Sequence, residues 1–284
     1  MGRALVARLV GDGVRVVATA RTHAAARAVT ETGAQLLHTD AGNLREWRRE
    51  AADAEAVFHL ALPRLDPPLR RIAARRRAKP AAQVAAAVAD LAGERPVVML
   101  SSAFAYGDRR EPAADDDPAG APAAVAAAAL AAEAALAPLA PRIVRVPWVH
   151  GPGGIARDLV AGLRIRRHRI VGAGDNLWSM LGDEDAAGAL VAALAAPPGV
   201  YSAAEPAIPT QFEVVQAICA VPGHRMPDRV PPWLAGLSMG GAMSEALGMS
   251  LAVRTGRLAD HGWAPRQAWR DTFTRLAETP LRRP

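Results

Sequence analysis

An α/β fold built on a doubly wound parallel sheet is what the first half of this chain predicts, and three observations carry it. Short apolar runs with strand chemistry recur at 14–20 (VRVVATA), 35–39 (QLLHT), 56–63 (AVFHLALP), 97–107 (VVMLSSAFAYG) and 143–154 (IVRVPWVHGPGG). Helical patterns separate these runs up to about residue 149, and strands alternating with helices give a parallel sheet covered on both faces. Beyond that point the Pro/Gly-rich segments 193–210 and 221–242 break the alternation, which predicts a smaller C-terminal lobe. Residues 1–149 are therefore expected to form the sheet domain, and 150–284 mostly a substrate lobe interleaved with the last sheet strands.

Each element has a local reason. Residues 3–11 place Leu5, Leu9 and Val10 on one apolar stripe, and Gly11-Asp12-Gly13 stops the helix before the 14–20 strand. The next strand ends at Asp40. A helix is expected over 80–92. The alanine-rich stretch 121–140 reads as a buried or dimer-facing helix, because Glu133 and its prolines leave it too weakly apolar for a membrane span. Asp183, Glu184 and Asp185 precede an apolar helix and are read as favourable charge at its N-terminus.

Composition bounds the function classes. With 284 residues, 51% hydrophobic and 22% charged, the chain can bury a full core. The net charge of +6 comes from an arginine-rich chain whose one lysine is Lys79, a pattern that GC-rich codon usage explains more simply than nucleic-acid binding. The densest basic cluster, Arg70, Arg71, Arg75, Arg76, Arg77 and Lys79, has no interleaved aromatics and reads as a solvated helix face. Neither nucleic acid nor membrane is an expected partner. Cys219 is the only cysteine, which excludes an intramolecular disulfide and a cysteine-cluster metal site, so no metal is expected. A reducing, cytoplasmic setting follows as the expectation.

The order of the motifs resembles the extended short-chain dehydrogenase/reductase superfamily, of the NAD-dependent epimerase/dehydratase type. Segment 97–107 is similar to that family's fifth strand, with Ser101-Ser102 and Tyr106-Gly107, and 56–63 is similar to its fourth, with a His-Leu-Ala end. Segment 143–154 resembles the sixth strand and its Arg-x-Pro-x-x-Tyr-Gly-Pro turn, with His150 at the tyrosine position. Gly172-x-Gly174-Asp175, the acidic run at 183–185 and Gly262-Trp263-x-Pro265 follow in the family's order. The resemblance implies a Rossmann-type sheet, a nicotinamide dinucleotide, a small-molecule or sugar-nucleotide-like substrate, and a homodimer through the helices near 80–92 and 121–140.

Two departures set this chain apart. The family's proton-transfer pair is Tyr-x-x-x-Lys on one helix, and a chain with only Tyr106, Tyr201 and Lys79 cannot contain it. Aligning Glu133 with the family's glutamate four residues after the lysine puts Val125 at the tyrosine position and Ala129 at the lysine position. A phenol becomes a usable acid at neutral pH only beside a cation that lowers its pKa, and valine and alanine supply neither group. The family's helical asparagine is also gone, since the only asparagines are Asn43 and Asn176. Ser102 alone remains of the usual catalytic set.

The second departure is at the start. Met1-Gly2-Arg3-Ala4-Leu5 resembles the last glycine of the dinucleotide turn and the helix after it, so the first strand and the glycine turn are expected to be missing ahead of it. A misassigned start site and a natural truncation both account for this. Without the turn's backbone nest, binding of either dinucleotide by residues 1–284 is counted against.

The resemblance also nominates cofactor contacts at Gly2, Arg21, Asp40, Ala41, Leu60, Ala61 and Pro147. Arg21 follows the second strand, where an arginine suits the 2′-phosphate of NADP and an acid would suit NAD; a surface arginine is an equal reading. NADP is therefore expected, with NAD the alternative. Tyr106 and His150 are the candidate substrate contacts. His150 could titrate near neutrality, but with no carboxylate identifiable beside it a structural histidine is the simpler reading. His59 reads as a strand end near the cofactor, and Trp178, Trp233 and Trp263 as packing. Three readings stay open: a divergent enzyme, a non-catalytic NADP-sensing or regulatory protein, and an inactive pseudoenzyme.

Overall fold

The structure is a computed structural model that describes residues 1–20, 22–37, 47, 53–63, 65 and 67–279. Arg21, Asp40 and Ala41 lie outside the described residues. The first element is α1 (Gly2–Gly11), which buries Leu5, Val6 and Leu9. It leads to β1 (Val17–Thr19), α2 (His23–Thr30) and β2 (Gln35–Leu37). Thr22 caps α2 by accepting the Ala25 N–H at 3.2 Å. β1 and β2 form a parallel pair.

The main sheet is parallel, ordered β10-β6-β4-β3, and comprises β3 (Val57–His59), β4 (Val97–Ser102), β6 (Arg142–Val146) and β10 (Gly199–Ser202). β4 is central, and its run Val97 to Leu100 is buried on both faces, which is why it shows no apolar-polar alternation. Val97 and Met99 point to one side, where α4 (Ala78–Ala92) and α5 (Ala127–Leu136) cover them with Ala85, Val88, Ala132 and Leu136. Val98 and Leu100 point to the other, against α1 and α7 (Asp183–Ala195) with Leu5, Leu9 and Leu190. α3 (Arg71–Arg76) precedes α4, and Arg70, Arg71, Arg75, Arg76 and Lys79 of the basic cluster are exposed along the two, with Arg77 half-buried between them.

The alanine-rich stretch departs from a single helix. It is a 3-10 turn at Ala124–Ala126, then α5, then a second 3-10 turn at Ala137–Leu139 where Pro138 ends the regular bonding. Its small side chains let α5 lie along α4 within this one chain.

The remaining elements build the lobe. β5 (Arg109–Ala113) pairs with β12 (Leu251–Val253), β7 (Trp148–His150) with β9 (Met180–Gly182), and β8 (Ile170–Val171) with β11 (Arg229–Val230). They sit among α6 (Gly154–Arg164), α8 (Gln211–Cys219), α9 (Pro232–Met239), α10 (Gly241–Gly248) and α11 (Trp269–Glu278). α8 opens with a reciprocal cap: Thr210 Oγ1 accepts the Glu213 N–H and Glu213 accepts the Thr210 N–H. The acidic run occupies the first turn of α7 as expected, and Asp185 additionally accepts the backbone N–H groups of Arg266 and Gln267 at 2.9 and 2.7 Å. Among the described residues no helix is long and apolar enough to cross a membrane.

One polar cluster is buried beneath α5. Strand register sets Ser101 beside Arg145, and Glu133 reaches down from the helix to both. Arg145 donates to the two Glu133 oxygens at 3.0 and 2.7 Å, and the Ser101 hydroxyl donates to the same carboxylate. Removing one partner leaves a buried charge uncompensated, so Glu133→Gln is expected to destabilise the fold by about 3–5 kcal/mol in urea denaturation. A loss below about 1 kcal/mol, the range of exposed pairs, would show that solvent reaches Arg145.

Candidate functional site

Because β3, β4 and β6 are parallel, their carboxyl ends share one edge of the sheet, and the crevice outside that edge is where open α/β sheets bind ligands. A cleft of about 910 Å³ lies there. At one end it is walled by Met1 at the start of α1, Leu60 and Leu62 after β3, Ser101 and Ser102 at the end of β4, and Val146 and Pro147 after β6. The other end is walled by Phe104, Trp148, Ile155, Trp178, Met180, Met243, Leu247 and Phe273 from the lobe. Trp148 stacks edge-on to Phe104 at 4.8 Å and lies 5.5 Å from Trp178, so this wall is a packed aromatic surface. A smaller hollow of about 320 Å³ beside Trp263 lies between α1 and α7, away from Ser102.

The structure brings several nominated residues together. Ser102, Val125, Ala129, Leu60, Pro147 and His150 all line the cleft. Ser102 is half-buried and its Oγ accepts the Phe104 N–H at 3.4 Å, capping the 3-10 turn at Ala103–Tyr106. Val125 and Ala129 lie in the cleft wall with it, so the positions that the resemblance assigns to tyrosine and lysine face the same space as the serine. Neither side chain can hold or give up a proton.

Other nominations sit elsewhere. Gly2 opens α1, but its neighbour Met1 supplies the cleft contact; Ala61 is exposed and outside the lining. Tyr106 is buried behind the cleft wall. Its hydroxyl shares a 2.7 Å hydrogen bond with Ser202 and donates to the Asp115 carbonyl at 3.4 Å, while the Arg145 guanidinium sits 5.0 Å from its ring centre. Burial holds the phenol above its ordinary range, so it is a packing group as placed.

His150 has the carboxylate partner that sequence reasoning did not find. Its Nε2 is hydrogen-bonded to Glu205 Oε1, and Glu205 Oε2 accepts the Trp269 N–H at 2.9 Å. Glu205 is the only charged residue between Asp185 and Glu213, which was the available signal. Asp183 also lines the cleft, and its carboxylate fits beside Gly151 because a Cβ there would lie 2.5 Å from its Cγ. Among the described residues, His150 Nδ1 and Asp183 Oδ1 are buried without hydrogen-bond partners, and no group of His, Cys, Asp or Glu could hold a metal.

The comparisons now bear on this geometry. A family model described as NAD(P)H-binding matches residues 1–168. The chain belongs to that family. Among solved structures, UDP-glucose 4-epimerase from Thermotoga maritima with UDP-glucose aligns over 98% of this chain and 94% of its own, with a TM-score of 0.79 and 15% identity. A human epimerase family protein with NADPH covers 98% and 96% at a TM-score of 0.74 and 20% identity. The dTDP-glucose 4,6-dehydratase of Bacillus anthracis in complex with NAD covers 98% and 92% at 0.78 and 13%. The fold is that of the epimerase and dehydratase structures over nearly the whole chain. No curated protein matches by sequence.

The α1 N-terminus, together with Leu60 and Pro147 at the strand ends, suits part of a dinucleotide. α1 starts at the cleft with no side-chain cap and no acidic residue in its first turn, which leaves N–H groups and a positive dipole end for a pyrophosphate.

Two buried histidines give a pH test. Burial lowers His59 from 6.5 to about 4, and burial together with the Arg169 charge lowers His168 from 6.5 to about 4. The unfolded chain takes up these protons near pH 6.5 and the folded one only near 4, so the stability gained from neutral rings is complete above about 6.5 and is lost as pH falls towards 4. The thermal midpoint should fall across that window, and His59→Phe should flatten part of the fall. A His59→Phe midpoint that tracks the parent at every pH would refute the neutral buried ring.

Proposed function

We propose that this protein is an NAD(P)-dependent enzyme of the epimerase/dehydratase type that acts on a small, largely apolar carbonyl or hydroxyl compound without a Tyr/Lys proton-transfer pair. The observation that carries the reading is the meeting of Val125, Ala129 and Ser102 in one large cleft. The dinucleotide would lie along the α1 N-terminus, Leu60, Ser101 and Pro147, and when bound it supplies or accepts hydride. Ser102 orients the reacting oxygen by hydrogen bonding. It is not a nucleophile, since no base contacts its Oγ among the described residues.

Substrate class follows from the far wall. Phe104, Trp148, Trp178, Met180, Met243 and Leu247 offer area to an apolar body, and among the described residues Arg167 is the only arginine or lysine in the lining. A sugar-nucleotide diphosphate would need more cationic or N–H donors than that end supplies. The unpaired polar atoms near His150 favour catalysis over a purely sensing role. A homodimer through the outer faces of α4 and α5 belongs to the same reading.

Two measurements test it. NADPH should bind more tightly than NADH, read by quenching of tryptophan fluorescence, and Arg21→Asp should narrow or invert the preference, because a carboxylate repels the 2′-phosphate. Equal affinities before and after would remove Arg21 as the discriminator. Turnover of simple ketones should lie about a hundred- to ten-thousand-fold below that of relatives with an intact pair, and Val125→Tyr with Ala129→Lys should raise it. No gain from a folded double variant would sink the assignment of those two positions.

A further inference from the structure

We infer that His150, held by Glu205, is the proton-transferring group of this cleft, and that Asp183 anchors a hydroxyl of the ligand beside it. The inference rests on the reading that the cleft takes a nicotinamide dinucleotide and a small carbonyl or hydroxyl compound.

Topology creates the constellation. β7 leaves the main sheet after Pro147 and pairs with β9, and the register of His150 opposite Gly182 brings Gly151 against Asp183. Glu205 arrives from the segment after β10, and its second oxygen is fixed by the Trp269 backbone at the start of α11. The carboxylate is thus oriented from both sides, and it orients the ring in turn. A base positioned by a third group is the arrangement that general acid–base chemistry needs.

The leftover atoms point to a ligand. His150 is 1% exposed and lines the cleft, yet among the described residues Nδ1 has no partner, and Asp183 Oδ1, beside the adjoining Gly151, has none either. Unmet buried polar atoms are costly, and these two, with Trp148 Nε1 and His168 Nε2 of the same lining, are better explained by a ligand in the cleft than by packing. A hydroxyl can donate to Asp183 while it accepts the Nδ1–H of a protonated His150. No other nominated catalytic position in the cleft, Ser102 aside, has a polar side chain.

The step balances. In a reduction, a bound reduced nicotinamide would supply the hydride for the carbonyl carbon; His150 Nδ1 gives its proton to the oxygen, so that the C=O π bond is replaced by a C–H and an O–H bond. The products are an alcohol, the oxidised dinucleotide and a neutral His150, which solvent reprotonates. Oxidation of an alcohol runs the same path in reverse. Glu205 compensates the ring's charge while the proton is resident. Among the described residues, Glu205 bonds the His150 ring, and the titratable groups that share its cleft lining are Asp158 from α6, Arg167 and His168 after it, and Asp183 from α7; α11 presents Phe273, 6.2 Å ring to ring, and β9 presents none.

The test compares the full chain with His150→Gln, Glu205→Gln and Asp183→Asn, using NADPH, NADP and a panel of apolar ketones and alcohols. NADPH affinity should stay within about twofold in each variant while His150→Gln loses about a hundredfold or more in kcat. Glu205→Gln, the milder change in shape, should move the pH–rate profile by about one unit towards lower pH with KM little changed. Independently of turnover, the ¹⁵N signal of His150 Nδ1 should shift when an alcohol of the panel is added to the NADP complex, and Asp183→Asn should weaken that alcohol's binding. Full turnover by His150→Gln with an unmoved pH profile overturns the proposal, as does a His150 signal blind to every ligand. Cofactor binding without turnover of any panel compound overturns the dyad alone; failure to bind NADPH or NADP overturns the preceding reading and the dyad with it.

Discussion

The buried carboxylate of Glu133 fixes where everything in the cleft can be. It sits in an otherwise apolar interface between α5 and the sheet, where an unpaired charge is intolerable, so α5 must present it to Arg145 on β6 and Ser101 on β4. Those contacts set both the rotation and the height of the helix. With Glu133 turned to the sheet, Ala129 one turn earlier and Val125 in the preceding 3-10 turn fall on the same side and come to the cleft wall. The ion pair is thus a positional device. Through it, Val125 and Ala129 are among the side chains that this segment offers to the cleft.

Two further aspartates perform the same service for the C-terminal half. Asp115 accepts the N–H groups of Ser202 and Arg257, both at 2.7 Å, and Gly256 passes it where a Cβ would collide with the carboxylate. Asp185 accepts those of Arg266 and Gln267. Charge-assisted bonds to backbone donors are stronger than neutral ones, and these join segments more than 80 residues apart in sequence, as the 87 between Asp115 and Ser202 shows. Between the two staples run β10, Glu205 and the approach to Trp269. The lobe is therefore pinned on either side of the residue that binds His150, and its aromatic wall is held against the strand ends.

What the sequence makes legible follows the range of the forces involved. β4 is visible as an unbroken apolar run because it is buried on both faces, and α1 because one stripe meets α7. β5 is nearly invisible: its sequence RREPA has no strand pattern, and it exists because Leu251 and its neighbours pair with it. The alanine-rich segment reads as one helix, since alanine propensity does not reveal that flanking prolines tighten both ends into 3-10 turns. At the site, the resemblance singles out Ser102, Val125 and Ala129, and all three line the cleft. Tyr106 does not, and local spacing could not show it, because its fate is decided by Ser202, 96 positions away. Glu205 was equally out of reach: a lone glutamate in an uncharged stretch marks itself, but its contact with His150 spans 55 residues and two lobes.

The character of the cleft and the loss of the Tyr/Lys pair have a common physical sense. A lysine works in such a site when the surroundings, chiefly an anionic ligand and water, tolerate a lone cation. Against Trp148, Trp178 and Met180 a cation would forfeit its hydration with little in return, since desolvation of an unpaired charge costs several kcal/mol. A histidine bonded to a fixed carboxylate carries its own countercharge when the ring is protonated and leaves one nitrogen free. In low dielectric that pairing strengthens as water is excluded, which is the condition an apolar substrate creates on binding. On the proposed reading, an aromatic wall, Ala129 on α5, Val125 in the turn before it and an acid–base group on β7 all suit one apolar substrate environment.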